Sequence, residues 1–215
     1  MRLTVFGATG GIGQEVVRQG LAAGHRVTAV VRDPARLSAR GPGLEVVRAS
    51  LTDPGDAGAL RGAVAGRDAV LSGLGARGLK DARAGVAARL TRSVVRALEA
   101  EGVRRLLVVS AAPLAPVVER EPLADRLMLA AVGRVLKPVY EDLRVMEAEL
   151  ARSATDWTSV RPPRLLDKPL TGSYRTAVGR NPRSARTIAR ADVAHAMLTM
   201  VDDPATVKQG VGVAY

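Results

Sequence analysis

The sequence predicts an α/β fold: one doubly wound parallel sheet with helices on both faces and a small C-terminal substrate-side portion. Two observations carry this. Short β-branched runs alternate along the chain with longer apolar patterns of helical period. The first such pair is joined by a glycine loop, VFGATGGIG. Repeated strand–helix–strand units cross over right-handed, and so build a parallel sheet covered on both sides.

LTVF (3–6) reads as the first strand, and Ile12, Val16, Val17 and Leu21 give the following helix, which ends at Gly24. RVTAVV (26–31) and LEVV (44–47) are the second and third strands. Asp53-Pro54 is an N-cap with proline at the first helical position, leading into Leu60 and Val64. DAVLSGL (68–74) is the fourth strand, and Val86, Leu90, Val94 and Leu98 stripe one long helix over 81–101 that Gly102 stops. RLLVVS (105–110) is apolar throughout, as expected of a strand covered on both faces. The chain then reads as irregular over 111–122 and helical over 123–152. DWTSV (156–160) is a sixth strand, a last helix begins near Asp192, and GVGVAY closes the sheet. In RPPRLLDKPLTGSY (161–174) the adjacent prolines end the sixth strand's ladder and stiffen the turn that follows.

At 215 residues the chain fits a single domain, 1–215, with a core of useful size. No apolar run approaches the roughly 20 residues a membrane-spanning helix needs, and the chain lacks cysteine. Both fit the cytoplasm and exclude thiol chemistry. Two distant histidines, His25 and His195, make a metal site a poor expectation. The net charge is +11, carried by arginine far more than lysine. Residues 161–190 hold eight basic side chains against the single acid Asp167, so an anionic small-molecule partner is expected there. Scattered aromatics offer no base-stacking platform, so the expectation is no nucleic acid and no membrane, in a monomer or homodimer.

Gly7, Gly10 and Gly13 follow the first strand at G-x-x-G-x-x-G spacing. Gly7 permits the turn off the strand, Gly10 lets backbone approach a pyrophosphate, and Gly13 removes a side chain where helix meets sheet. The phosphates then meet N–H groups at a helix N-terminus. Strand two ends VVRDPARL, placing Arg32 at its tip, Asp33 next and Arg36 beyond. A guanidinium there suits a 2′-phosphate and favours NADP(H) over NAD. In the alternative, Arg32 is a solvated surface side chain and Asp33 binds the ribose.

These residues resemble an atypical short-chain dehydrogenase/reductase of the NmrA-like group, most closely the biliverdin reductase B type of flavin reductase. The resemblance rests on FGATGGIG, VVRDPARL, DAVLSGLG, VVSAAPL, RPPRLLDKPLTGSY and RADVAHAML, and covers nearly the whole chain. It implies a Rossmann-like sheet binding NADPH and hydride transfer to a flat conjugated acceptor: a flavin such as FMN or FAD, a quinone, or a linear tetrapyrrole. It implies phosphate contacts at Thr9, Gly10, Gly11 and Ile12, 2′-phosphate contact at Arg32, and loop contacts at Leu74 and Gly75. Ser110 then lies beside the nicotinamide, with Pro162 and Pro163 shaping the acceptor pocket. Three departures stand out. The third strand runs into Ala49-Ser50 where relatives have Gly-Asp near the adenine, leaving Ser50 and Leu51 as the expected cofactor contacts there. Arg164 stands where the reductase-B type has histidine. Tyr140-Glu-Asp-Leu-Arg144 stands in place of Tyr-x-x-x-Lys.

Ordinary ketone reduction needs an acid for the new alkoxide. Tyr140, with Arg144 one turn on, is one candidate; the other reading makes Tyr140 a packed residue of an amphipathic helix. A flavin or quinone absorbs the charge in its own rings, so alignment suffices. Ser110, at a strand end, binds nicotinamide or acceptor, or else caps local backbone. Arg164 faces the cleft as an anion-binding cation, or else faces water, with Leu165, Leu166 and Tyr174 as apolar wall. Two rival functions remain: a non-catalytic NADP-binding redox sensor acting through a partner protein, and a carbonyl or sugar reductase or epimerase that uses Tyr140.

Overall fold

The computed structural model describes residues 1–76, 78–115 and 134–215. The expected irregular stretch and helix start between 116 and 133 lie outside the described residues. Strands β1 (Arg2–Phe6), β2 (Arg26–Val31), β3 (Leu44–Arg48), β4 (Ala69–Ser72), β5 (Arg105–Val109) and β6 (Asp156–Arg161) match the β-branched runs of the sequence within about two residues. With β8 (Arg175–Val178) and β10 (Gln209–Ala214) they form an eight-stranded sheet in the order β3-β2-β1-β4-β5-β6-β10-β8. Every pairing is parallel except β10 with β8. The order reverses between β1 and β4, and in such sheets ligands bind outside the carboxyl ends of the strands at that point.

The helices divide between the two faces. Side chains alternate along β1: Leu3 and Val5 point toward one buried cluster, Phe6 toward the other. On the first face α1 (Gly11–Ala22) and α6 (Arg190–Thr199) supply Ile12, Val16, Val17, Val193 and Met197. On the second, α2 (Ala57–Val64), α4 (Val86–Glu101) and α5 (Lys137–Arg152) supply Leu60, Val94, Leu98, Met146 and Leu150. Sheet strands covered twice account for the nearly unbroken apolar runs of β4 and β5.

Three sequence expectations need correction. The helix expected over 81–101 is two helices, α3 (Leu79–Arg83) and α4, broken at Gly85 in the left-handed region (φ +63). The break is stabilised from outside: buried Asp142 on α5 accepts from Ala87 N and Ala88 N at 2.9 and 3.0 Å, capping α4's first turn. Helical periodicity runs on through such a break, because the cap comes from a residue far along the chain. Asp53 does cap through Gly55 N at 2.9 Å, but it opens a short 3-10 turn, and α2 starts only at Ala57. The basic segment holds three short strands not expected from sequence: β8, β7 (Arg164–Leu166) and β9 (Thr187–Ala189), the last two paired parallel in a small separate sheet. The prolines interrupt the strand, since β6 stops at Arg161 and β7 begins only after Pro163, but the ladder runs one step further because the Pro162 carbonyl still accepts from Ala112 N. Among the described residues no helix is long and apolar enough to cross a membrane.

Candidate functional site

The candidate cofactor residues gather along one edge because each follows the carboxyl end of a parallel strand. After β1 the chain turns at Gly7 (φ +71), a conformation that side-chain-bearing residues rarely adopt. A Cβ on Gly7 would lie 2.8 Å from Gly73 C and 2.9 Å from Leu74 N, so the loop after β4 rests directly on it. A Cβ on Gly13 would lie 2.2 Å from Gly7 O. Gly10 N donates to Gly7 O at 2.9 Å and closes the turn. Gly10 and Gly11 remain exposed at the start of α1, while Ile12 anchors it in the core. Backbone N–H groups thus face outward at a helix N-terminus in a cradle that side chains would fill, which fits a dinucleotide's pyrophosphate.

A side-chain relay ties this cradle to the region after β2. Gln14 Nε2 donates to Thr9 O at 3.1 Å, and Ser38 Oγ donates to Gln14 Oε1. Arg32 is exposed at the tip of β2, with Arg36 ending the 3-10 turn Pro34–Arg36. Asp33 Oδ1 accepts from Ala35 N at 3.1 Å and caps that turn. One oxygen of the acid that an NAD-type ribose contact needs is therefore already engaged, whereas Arg32 makes no hydrogen bond or ion pair among the described residues.

After β3, Ser50 N donates to Asp56 Oδ2 at 2.6 Å and Leu51 O accepts from Ser93 Oγ at 2.9 Å. A carboxylate does reach this loop, but from Asp56 rather than from the end of the third strand. After β4, Gly73 and Leu74 lie against the glycine loop, and Gly75 follows them with open space where a Cβ would stand. After β5, Ser110 N donates to Val160 O at 2.7 Å and Ala112 N to Pro162 O at 2.9 Å, so this ladder runs one step past the strands. Ser110 is buried, yet among the described residues its Oγ has no hydrogen-bond partner. Asn181 Nδ2 donates to Ala112 O at 2.8 Å, and its buried Oδ1 is also unpartnered. Buried polar atoms are rarely left so, and the Ser110 hydroxyl stands just past the carboxyl end of β5. Asn181 escaped the sequence reading because it lies among arginines, far along the chain from Ala112.

The acid–base candidates fare differently. Burial pushes the Tyr140 hydroxyl up from its ordinary range. A neighbouring cation would act in the opposite direction. Arg144 is exposed, and among the described residues Tyr140 has no cationic support of the Tyr–Lys kind. Arg164 is exposed at the start of β7, without a hydrogen bond or ion pair among the described residues. Leu165 packs against the first-face core. So does Tyr174, whose Oη lies 2.7 Å from His195 Nδ1, so the expected cleft wall at Tyr174 is largely a structural contact. The segment before it is fastened by Asp192, buried in α6's first turn. Its carboxylate accepts from Thr171 N at 3.0 Å, Gly172 N at 2.8 Å, Thr171 Oγ1 and Tyr215 Oη at 2.6 Å. Burial raises this carboxyl's pKa, but the donors from Tyr215, Gly172 and Thr171 together outweigh it and leave it below the usual value.

Solved structures share this architecture. A candidate exported protein from Burkholderia pseudomallei is 25% identical over 100% of both chains, with a TM-score of 0.76. A wide-type short-chain dehydrogenase/reductase from Veillonella parvula, solved with NADP, is 21% identical over 100% of this chain and 94% of its own, with a TM-score of 0.75. A candidate NADH-flavin reductase from Streptococcus pneumoniae is 21% identical over 100% of this chain and 99% of its own, at a TM-score of 0.78. At such identities the likeness carries the fold. The family comes from the sequence itself: residues 7–204 match the NAD(P)H-binding family, and the chain belongs to it.

Proposed function

We propose that the protein is an NADPH-dependent reductase that passes hydride to a flat conjugated acceptor of the flavin or quinone class, with an anionic tail on the acceptor. The observation that carries the reading is the pairing of Arg32 at the tip of β2, uncommitted among the described residues, with an Asp33 already used as a cap. That combination favours a 2′-phosphate over a bare ribose. NADPH supplies the hydride. The glycine cradle holds its diphosphate and Arg32 its 2′-phosphate, while Ser110 Oγ, buried and unpartnered, orients the nicotinamide or the acceptor ring.

Tyr140 supports this choice of acceptor. Burial raises the Tyr140 pKa with no cation beside it to offset that among the described residues, which makes it a weaker proton donor to the alkoxide of a reduced carbonyl. A flavin or quinone takes two electrons and one proton with the hydride, spreads the charge over its rings, and draws its second proton from water. The residues then need only align the rings and exclude water. Arg164 offers a cation to a phosphate or carboxylate on the acceptor.

Single-turnover mixing of NADPH-loaded protein with FMN, riboflavin and quinones tests the reading. Acceptor-dependent loss of the reduced nicotinamide absorbance is expected, and Tyr140→Phe should leave it nearly unchanged. Absence of that loss with every acceptor points instead to an NADP-binding sensor. Activity abolished in Tyr140→Phe points to carbonyl chemistry.

A further inference from the structure

Arg190, the first residue of α6, lies across the first turn of α1. A Cβ built on Gly11 would sit 2.6 Å from Arg190 Cδ and 3.0 Å from its Nε. Arg190 Nη1 donates to Asp167 Oδ1 at 2.5 Å, with side-chain exposures of 31% and 88%. The guanidinium therefore stands against the N-terminus of α1 and near the start of its own helix. Both ends carry partial positive charge from aligned peptide dipoles, where a cation is unfavourable and an anion is stabilised. The first turn of α1 has no acid to compensate. The acid in α6's first turn, Asp192, is occupied by Thr171, Gly172 and Tyr215. Nor can the arginine's backbone retreat, because Gln19 Nε2 on α1 donates to Ala191 O at 2.9 Å and clamps the two helices together. A half-buried cation is thus held where an anion belongs, and among the described residues only a solvent-exposed carboxylate answers it.

We propose that Arg190 is a ligand of the cofactor's diphosphate and that Asp167 is its intramolecular stand-in, displaced when the cofactor binds. The assignment rests on the dinucleotide reading of the glycine cradle and adds to it a cation from the far end of the chain. It also links the two halves of the site. Asp167 opens the segment that Asp192 fastens at Thr171 and Gly172. Capture of Arg190 by the diphosphate releases the front of that segment and leaves its rear fixed, so the acceptor side is free to adjust once the cofactor is in place.

Calorimetric titration with NADPH, which needs no turnover, tests this on four proteins: wild type, Arg190→Met, Asp167→Asn and the double variant, each checked for folding by thermal melting. Loss of one charge-assisted hydrogen bond at the phosphates should weaken Arg190→Met by about 10- to 100-fold. Asp167→Asn removes the competitor from an exposed position and should tighten binding several-fold. The double variant should bind like Arg190→Met. Equal affinity of Arg190→Met and wild type overturns the assignment while leaving the proposed function standing, and so does weaker binding by Asp167→Asn. Failure of folded wild-type protein to take up NADPH at all overturns both.

Discussion

Gly13→Ala isolates the contact on which the cradle depends. The added methyl would sit 2.2 Å from Gly7 O, 2.7 Å from Gly7 C and 3.0 Å from Ala8 Cα, all backbone atoms. A carbon–oxygen contact of this kind normally relaxes to about 3.3 Å, so loop and helix must part by about 1 Å. Neither side yields easily. Gly7 is backed by Gly73 and Leu74 and tied by the Gly10 N–H, and α1 is held by buried Ile12, Val16 and Val17. Overpacking of a site with so little slack costs about 3 kcal/mol, the upper part of the usual range. In a chain of this size that lowers Tm by about 6–12 °C. The same displacement stretches the N–H groups away from a bound diphosphate. Losing one such charge-assisted bond, with another weakened, costs roughly 100-fold in NADPH affinity. Differential scanning calorimetry and titration calorimetry read the two effects separately. Gly62→Ala is the control. It lies inside α2 with nothing within 4 Å of the new methyl, and should stabilise by about 1 kcal/mol with NADPH affinity unchanged. A Gly13→Ala protein with wild-type Tm and affinity would refute the cradle.

Arg32→Ala should raise the KM for NADPH at least tenfold and that for NADH hardly at all, as steady-state kinetics with both cofactors will read; parallel changes would return the ribose to Asp33. Arg164→Ala should weaken FMN several-fold more than riboflavin, which lacks the phosphate, in a competition binding assay; equal losses would leave Arg164 as a solvated surface charge. The carboxyl of Asp192 is depressed by folding, so its contribution is complete above the unfolded value of about 3.9 and disappears as pH falls through the lower folded value. Asp192→Asn should therefore cost roughly 3 kcal/mol near neutrality and flatten the acid limb of a denaturant-derived stability profile. High salt should not erase the difference, although it will weaken the exposed Arg18–Glu15 and Arg104–Asp156 pairs, whose acids are also depressed.

Much of the sheet is legible from local chemistry. β1, β2, β4 and β5 are buried apolar runs, and the alternation of such runs with helical stripes leaves few topologies. The glycine loop is legible for the same reason, since each glycine answers a demand made within a few residues of it. What local reading misses are the features set by distant partners. The stripe Val86, Leu90, Val94 and Leu98 cannot report that Asp142 will cap a new helix beginning at Val86. The residues Arg164-Leu-Leu and Thr187-Ile-Ala are too short to announce strands, and they become strands by pairing with each other.

The same distinction governs the basic segment. Its charge is plain in the sequence, but eight cations in a row of loops and short strands are not one surface. Arg161 is spent on Glu147, with both side chains largely buried, and Arg175 Nη2 donates to the Tyr215 carbonyl. Arg190 returns to the glycine loop, while the Arg164 guanidinium stays uncommitted among the described residues. Net charge over a window therefore predicts that an anion is bound but not where. That depends on which guanidiniums the fold leaves short of a partner and which it holds against a positive helix end. By that criterion the two proposed roles divide between two anions: the diphosphate for Arg190 and the acceptor's tail for Arg164. Charge removal at those two positions should then affect different ligands, Arg190→Met acting on NADPH and Arg164→Ala on FMN. If both variants lost both ligands equally, the segment would be a diffuse electrostatic field, and the division of labour between its arginines would be wrong.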